Sequence, residues 1–158
     1  MFIGALLTGD TRHAEARLLV EEARRGIVSA CTTAGILSEV YGALTWEQAQ
    51  PRHAPTEAAE AIRLLVEPPS AIQVLTEGLE VALRLLDLSD EHHLMARRVH
   101  DARHAAAALD AGITSVHTYD PDDWKRFEPN GLKIAGPVTT MLRISTTQPN
   151  PTGSPSRR

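Results

Sequence analysis

The chain has 158 residues, 42% of them apolar and 23% charged, the balance of one folded domain rather than of a disordered segment. A single cysteine, Cys31, excludes an internal disulfide framework and a four-cysteine zinc module. The net charge of −4 excludes attachment to nucleic acid by bulk positive charge alone. The longest apolar opening, Met1 to Leu7, is too short to cross a membrane and lacks a basic leader, so the chain reads as soluble and cytoplasmic.

In chain order, Ala16, Leu19, Val20 and Ala23 recur at i, i+3, i+4 and i+7, which predicts a helix over about 13–25, closed by Gly26. Ile27 to Thr32 is short and partly β-branched and reads as a first strand. A helix from about Ala34 to Trp46 follows. Pro51 and Pro55 break the chain, and Thr56 is the expected cap of a helix carrying Ala58, Ala61, Ile62 and Leu65, which Pro68 and Pro69 stop. Ala71 to Leu75 is a second strand. Leu79, Ala82, Leu83 and Leu86 mark another helical face. An alanine-rich helix is predicted from about Leu94 to Ala111, with Gly112 closing it. Ile113 to Thr118 is a third strand, Asp120 to Asp123 a turn, and Leu132 to Ala135 a fourth strand after Asn130 and Gly131. Strands that alternate with helices give an α/β fold with a mostly parallel sheet. From Ser145 the composition turns to Ser, Thr, Pro and Gly, so the expected organisation is a domain over 1–144 and a disordered tail over 145–158.

In open parallel sheets, ligands bind beyond the carboxyl ends of the strands. Asp120 lies two residues past the third strand, with Asp122 and Asp123 beside it. Glu39 sits on the helix that follows the first strand, and Asp101 on the helix before the third. Carboxylates converging from three segments would suit a hard divalent cation such as Mg²⁺ or Mn²⁺. Solvated surface acids are the competing reading. His100 and His104 stand four residues apart with Asp101 between them, close to the H-E-x-x-H pattern of zinc peptidases. Asp replaces the Glu base, however, and no third ligand stands at a family spacing. The plainer reading makes His104 a surface histidine and puts His92 and His93 at a solvated helix start. In the same reading Cys31 is a small buried strand residue, and Tyr41, Trp46 and Trp124 are packing residues.

Three stretches together resemble PIN-domain ribonucleases. The run Cys31 to Tyr41 is similar to their second acidic motif. His100-Asp101-Ala102, with Ala105 to Ala107 and Gly112, is similar to the third. Thr118-Tyr119-Asp120, Asp123-Trp124, Gly131 to Ile134 and Gly136-Pro137 resemble their C-terminal signature. The likeness covers about residues 1–137 and points to the VapC type, the toxin of a toxin–antitoxin pair. It implies a parallel sheet of about five strands between helices, of which about four are visible here. It implies an endoribonuclease in which Glu39, Asp101 and Asp120 hold one or two Mg²⁺ or Mn²⁺ ions, and RNA phosphodiesters are cut by metal-activated water. Asp123 would assist at the metal and Thr118 would orient the cluster. Arg97, Arg98, Arg103 and Arg126 are candidates for phosphate contacts, with plain solvated arginines as the alternative. The implied partners are RNA, a cognate antitoxin and a second copy of the chain. The apolar stripes near 13–25 and 34–66 would receive the antitoxin unless the chain's own core consumes them.

The family opens with an apolar strand ending in Asp, and that pattern has no counterpart here. Met1 to Leu7 resembles the segment just after it, and Asp10 stands too far along to match. About five buried apolar side chains, at roughly 1.5–3 kcal/mol each, contribute on the order of 8–15 kcal/mol, as much as a domain's whole net stability. A start at Met1 is therefore expected to leave a break in the middle of the sheet, between the strands near 27–32 and 113–118. Met1 to Ala5 would then form a helix start or a loop. Two functional readings follow: the ribonuclease, or a catalytically degenerate remnant that only binds, for example to the antitoxin.

Overall fold

The computed structural model describes residues 1–147. The chain forms the expected α/β alternation, with eight α-helices, one 3₁₀ helix and four short strands among the described residues. Helix α1 (Phe2–Leu6) leads through a loop to α2 (His13–Arg24), and Gly26 turns the chain at φ +73°. Strand β1 (Cys31–Thr33) runs directly into α3 (Ala34–Thr45), and α4 (Pro55–Val66) precedes β2 (Gln73–Leu75). Helix α5 (Leu79–Glu91) and α6 (Arg98–Asp110) pack against each other before β3 (Ser115–His117). A one-turn α7 (Pro121–Trp124) and a 3₁₀ helix (Lys125–Asn130) lead to β4 (Lys133–Gly136) and α8 (Val138–Thr147).

All four predicted strands are present, but each is only three or four residues long. The first begins later than its apolar run. Ile27 and Val28 are still in the turn after α2, where both backbone N–H groups donate to Glu22, and Ile27 stays exposed. The first and third strands do not pair with each other among the described residues. Strand β1 pairs in parallel with β2 (Thr32 opposite Val74), and β3 pairs in parallel with β4 (Val116 opposite Ile134). The result is two separate two-stranded sheets among the described residues. The Thr32 hydroxyl, in a residue 2% exposed, finds no hydrogen-bond partner among them. Residues 2–6 are helical, as expected for a helix start, and no strand forms there.

Several boundaries differ from the sequence reading for local reasons. Pro55, not Thr56, opens α4: its fixed φ suits the first helical position, and the Glu57 carboxylate accepts from the Ala54 N–H. The alanine-rich helix starts at Arg98 rather than Leu94, because His93 and Ala96 adopt positive φ and break the preceding turns. The expected turn at Asp120 becomes α7, nucleated by Pro121. Helix α8 runs to Thr147, so Ser145 to Thr147 continue a helix where the tail was expected to start. The rest of that expected tail, 148–158, lies outside the described residues.

The core divides into three clusters. In the first, the small residues Ala102, Ala105 and Ala106 of α6 let α5 approach closely, and Val81, Leu88, Phe127 and Leu132 fill the interface. The second holds Ala5, Ala16, Val20 and Leu65, with Tyr119 packed against it. The third holds Val40, Leu44 and Ala58. Phe2 and Leu6 of α1 pack against both of the latter. The inward stripes of α2, α3 and α4 are thus consumed by the chain's own core. Leu18, Tyr41, Trp46 and Leu64 remain exposed, so Tyr41 and Trp46 are not the packing residues expected of them. Trp124 is one: its ring meets Phe127 edge-on, with centroids 6.0 Å apart.

Candidate metal centre

Strand β1 ends at Thr33, whose hydroxyl caps α3 by accepting the Ile36 N–H at 3.2 Å. That cap fixes the first turn of α3, and Glu39 follows on the next turn. Asp101 lies in the first turn of α6, where the helix dipole favours an acid. Past β3, the buried Thr118 turns its hydroxyl to the Asp120 backbone N–H at 3.0 Å, and its carbonyl accepts from the Thr140 hydroxyl at 2.8 Å. These two bonds fix the backbone from which Asp120 projects, and Asp123 follows on α7.

The four acids share one electrostatic neighbourhood. Asp101 is half-buried, and its carboxyl is held above the ordinary carboxylate value. Burial is the largest cause, then repulsion from Asp123. His104 acts in the opposite sense, and Glu39 and Asp120 add smaller upward pushes. The acids are not gathered into a closed shell, and among the described residues no three Asp, Glu, His or Cys side chains stand ready to hold an ion. Glu39 Oε1 accepts from His104 Nε2 at 3.0 Å, and Asp123 Oδ1 accepts from Arg126 at 2.9 Å. Asp122 points away and is largely solvated, with Lys125 and Arg143 each 3.8 Å from its carboxylate. Asp10 belongs to a different network. Arg12 donates to both its oxygens (2.8 and 2.6 Å), which holds its carboxyl down at about 2.

The arginines divide. Arg126 is spent on Asp123, and Arg103 donates twice to Glu77 Oε2, at 2.9 and 2.6 Å. Arg97 and Arg98 are exposed at the start of α6, within a turn or so of Asp101, and make no ion pair among the described residues.

His104 is the residue sequence reasoning misplaced. It is not on the surface: it is 5% exposed, with Nδ1 2.9 Å from the Thr33 hydroxyl and Nε2 on Glu39. His100, its supposed zinc partner, is exposed, so the two do not form a metal pair. His92 is at the C-terminal end of α5 rather than at a helix start, bonded to Asn130 at 2.7 Å and edge-on to Phe127. Cys31 is only partly buried, enough to push its thiol up.

The PIN domain pattern matches residues 1–128. The chain belongs to the PIN-domain family. A comparison with individual characterised proteins returns no match. PIN domains are, in general, divalent-metal-dependent nucleases that act on nucleic acid. The donors present fit such an ion in kind: all four are carboxylates, the hard oxygen ligands that Mg²⁺ and Mn²⁺ prefer. A cation would also relieve the mutual repulsion that raises Asp101. Among the described residues no helix of this PIN domain is long and apolar enough to cross a membrane.

Proposed function

We propose that this PIN domain is a metal-dependent endoribonuclease of the VapC toxin type, acting in the cytoplasm and neutralised by a small antitoxin. The observation that supports it most is the half-buried Asp101 with Glu39, Asp120 and Asp123 acting on it from α3, the β3–α7 turn and α7. Glu39, Asp101 and Asp120 would hold Mg²⁺ or Mn²⁺, with Asp123 alongside. When bound, the ion supplies charge neutralisation at the phosphodiester and acidifies water. The chain's own residues do the rest. Thr118 fixes the backbone of Asp120, and Arg97 and Arg98 offer cationic contacts to RNA phosphates beside the acids. Leu79, Leu83 and Leu86 form an exposed stripe along α5, which supports an apolar contact with an antitoxin helix or a second copy.

The test is incubation of the purified protein with single-stranded RNA and Mn²⁺, beside Asp101→Asn. Cleavage that Asp101→Asn abolishes, while circular dichroism shows an intact fold, is the expected result. Cleavage that is absent, or indifferent to Asp101, overturns it. A specific observation favours the second reading, a remnant that binds without cutting: Asp10 is neutralised by Arg12 and adds no carboxylate to the cluster. RNA or antitoxin binding without cleavage is its signature.

A further inference from the structure

His104 lies on the alanine face of α6, where nothing but packing is expected, yet both its ring nitrogens are engaged. In the neutral ring the partners fix where the one hydrogen sits. An ionised Glu39 only accepts, so Nε2 carries the hydrogen and donates to Oε1. Nδ1 is then an acceptor and takes the Thr33 hydroxyl hydrogen. That leaves the Thr33 oxygen to accept the Ile36 N–H, as it does at 3.2 Å. The result is a directed chain, Ile36 N–H to Thr33, Thr33 to His104, His104 to Glu39, in which each donor has one acceptor. It begins at the cap of the helix that carries Glu39 and ends on Glu39's own carboxylate.

The surroundings are shaped for this ring. Gly35 stands beside it, and a Cβ at that position would come 2.8 Å from His104 Cε1 and 3.2 Å from the Arg103 guanidinium. Arg103, the residue before it on α6, is itself pinned by Glu77. Glu39's side chain is 54% exposed, so packing restrains it only in part. The His104 bond is what ties that flexible carboxylate to a rigid, buried point.

We infer that His104, oriented by Thr33 and seated against Gly35, is a positioning residue that holds one oxygen of Glu39 and leaves the other for a divalent cation. This rests on the metal-binding role proposed above for Glu39. Histidine and carboxylate partners outside a coordination shell change metal affinity by about 10- to 100-fold when removed.

The experiment is Mn²⁺ binding to the full chain by calorimetry, with no RNA present. His104→Gln keeps an amide N–H near the Nε2 position, and His104→Asn fills the Nδ1 position only. His104→Gln should stay within a few-fold of the parent, whereas His104→Asn and His104→Ala lose about 10- to 100-fold. Gly35→Ala, which displaces the ring without removing it, should lose affinity too. In a Glu39→Gln background the His104 substitutions should have little further effect, because they act through Glu39. A merely structural histidine would not give that non-additivity. If the parent binds Mn²⁺ and His104→Asn binds equally well, or its loss simply adds to that of Glu39→Gln, the positioning role is overturned and the metal centre stands. If the folded parent binds no Mn²⁺, the metal-centre reading falls, and this inference with it.

Discussion

Replacing Asp10 by Asn isolates one polar network that holds the amino-terminal helices to the β3–α7 turn that carries Asp120. Asp10 pairs with Arg12 through both oxygens, and the Arg12 guanidinium lies 4.8 Å from the centre of the Tyr119 ring. The Tyr119 hydroxyl donates to Glu15 at 2.9 Å, and Glu15 also accepts from the backbone and hydroxyl of Thr139. The pair holds the Asp10 carboxyl at about 2 against an ordinary 3.8. At 1.36 kcal/mol per tenfold in proton affinity, that difference is about 2 kcal/mol. The Arg12 side chain is 48% exposed, so solvent screening reduces the figure to about 1 kcal/mol. Because the folded-state value is depressed, this stability is fully present above the unfolded value and is lost as pH falls from about 4 through 2. In urea, with a slope of about 2 kcal/mol/M, Asp10→Asn should lower the midpoint by about 0.5 M at pH 7. The gap should close as pH approaches 2. Equal midpoints at pH 7, or a gap that persists unchanged at pH 2, would refute the reasoning.

Three further outcomes are expected. Asp101→Asn should stabilise the metal-free protein, since the raised carboxyl makes the ionised form a cost that grows as pH rises from its unfolded value and is complete above its folded value. Thermal melting at neutral pH should show a gain of a few degrees in EDTA, with Mn²⁺ favouring the parent instead. Tyr119→Phe should cost about 1 kcal/mol through the lost bond to Glu15. The parent's phenol, pushed up to about 12, protects the fold below pH 10 and releases that stability between 10 and 12, which an ultraviolet titration of parent against variant would detect. Gly136→Ala should destabilise by about 1–3 kcal/mol, because its Cβ would come 2.7 Å from His117 Nδ1 across the β3–β4 pair. Trimming His117 to Ala should restore the melting temperature, and a Gly136→Ala protein as stable as the parent would count against that contact.

The fold was legible where one residue type dictates geometry. Gly26 and Gly112 end helices in the left-handed region, and the alanine-rich run announced helix α6. Strand lengths were not legible, since an apolar run such as Ile27-Val28 looks the same whether it pairs or bends. Helix α8 was missed because its apolar residues Val138, Met141 and Leu142 sit where the composition turns polar, and they are exposed. At the site, the acids stood out by their positions next to strand ends. His104 did not, because its partners Thr33 and Glu39 are 71 and 65 residues away in sequence. The one local hint was the place of His104 at the head of the run Ala105 to Ala108, where a histidine has to satisfy two ring nitrogens.

The division of the core into separate clusters, with no sheet running through them, bears on how the protein opens. Clusters joined by few contacts need not come apart together. Here α6 is tied to β1 and α3 by the bonds of Thr33 and Glu39 to His104, and to β2 by Leu75 against the alanine face. Glu39 rides on one side of that seam, on α3, and Asp101 on the other, on α6. The acidic neighbourhood is therefore assembled only while the seam is shut. The fraction of time it exists is governed by sub-global fluctuation, at a lower free energy than complete unfolding.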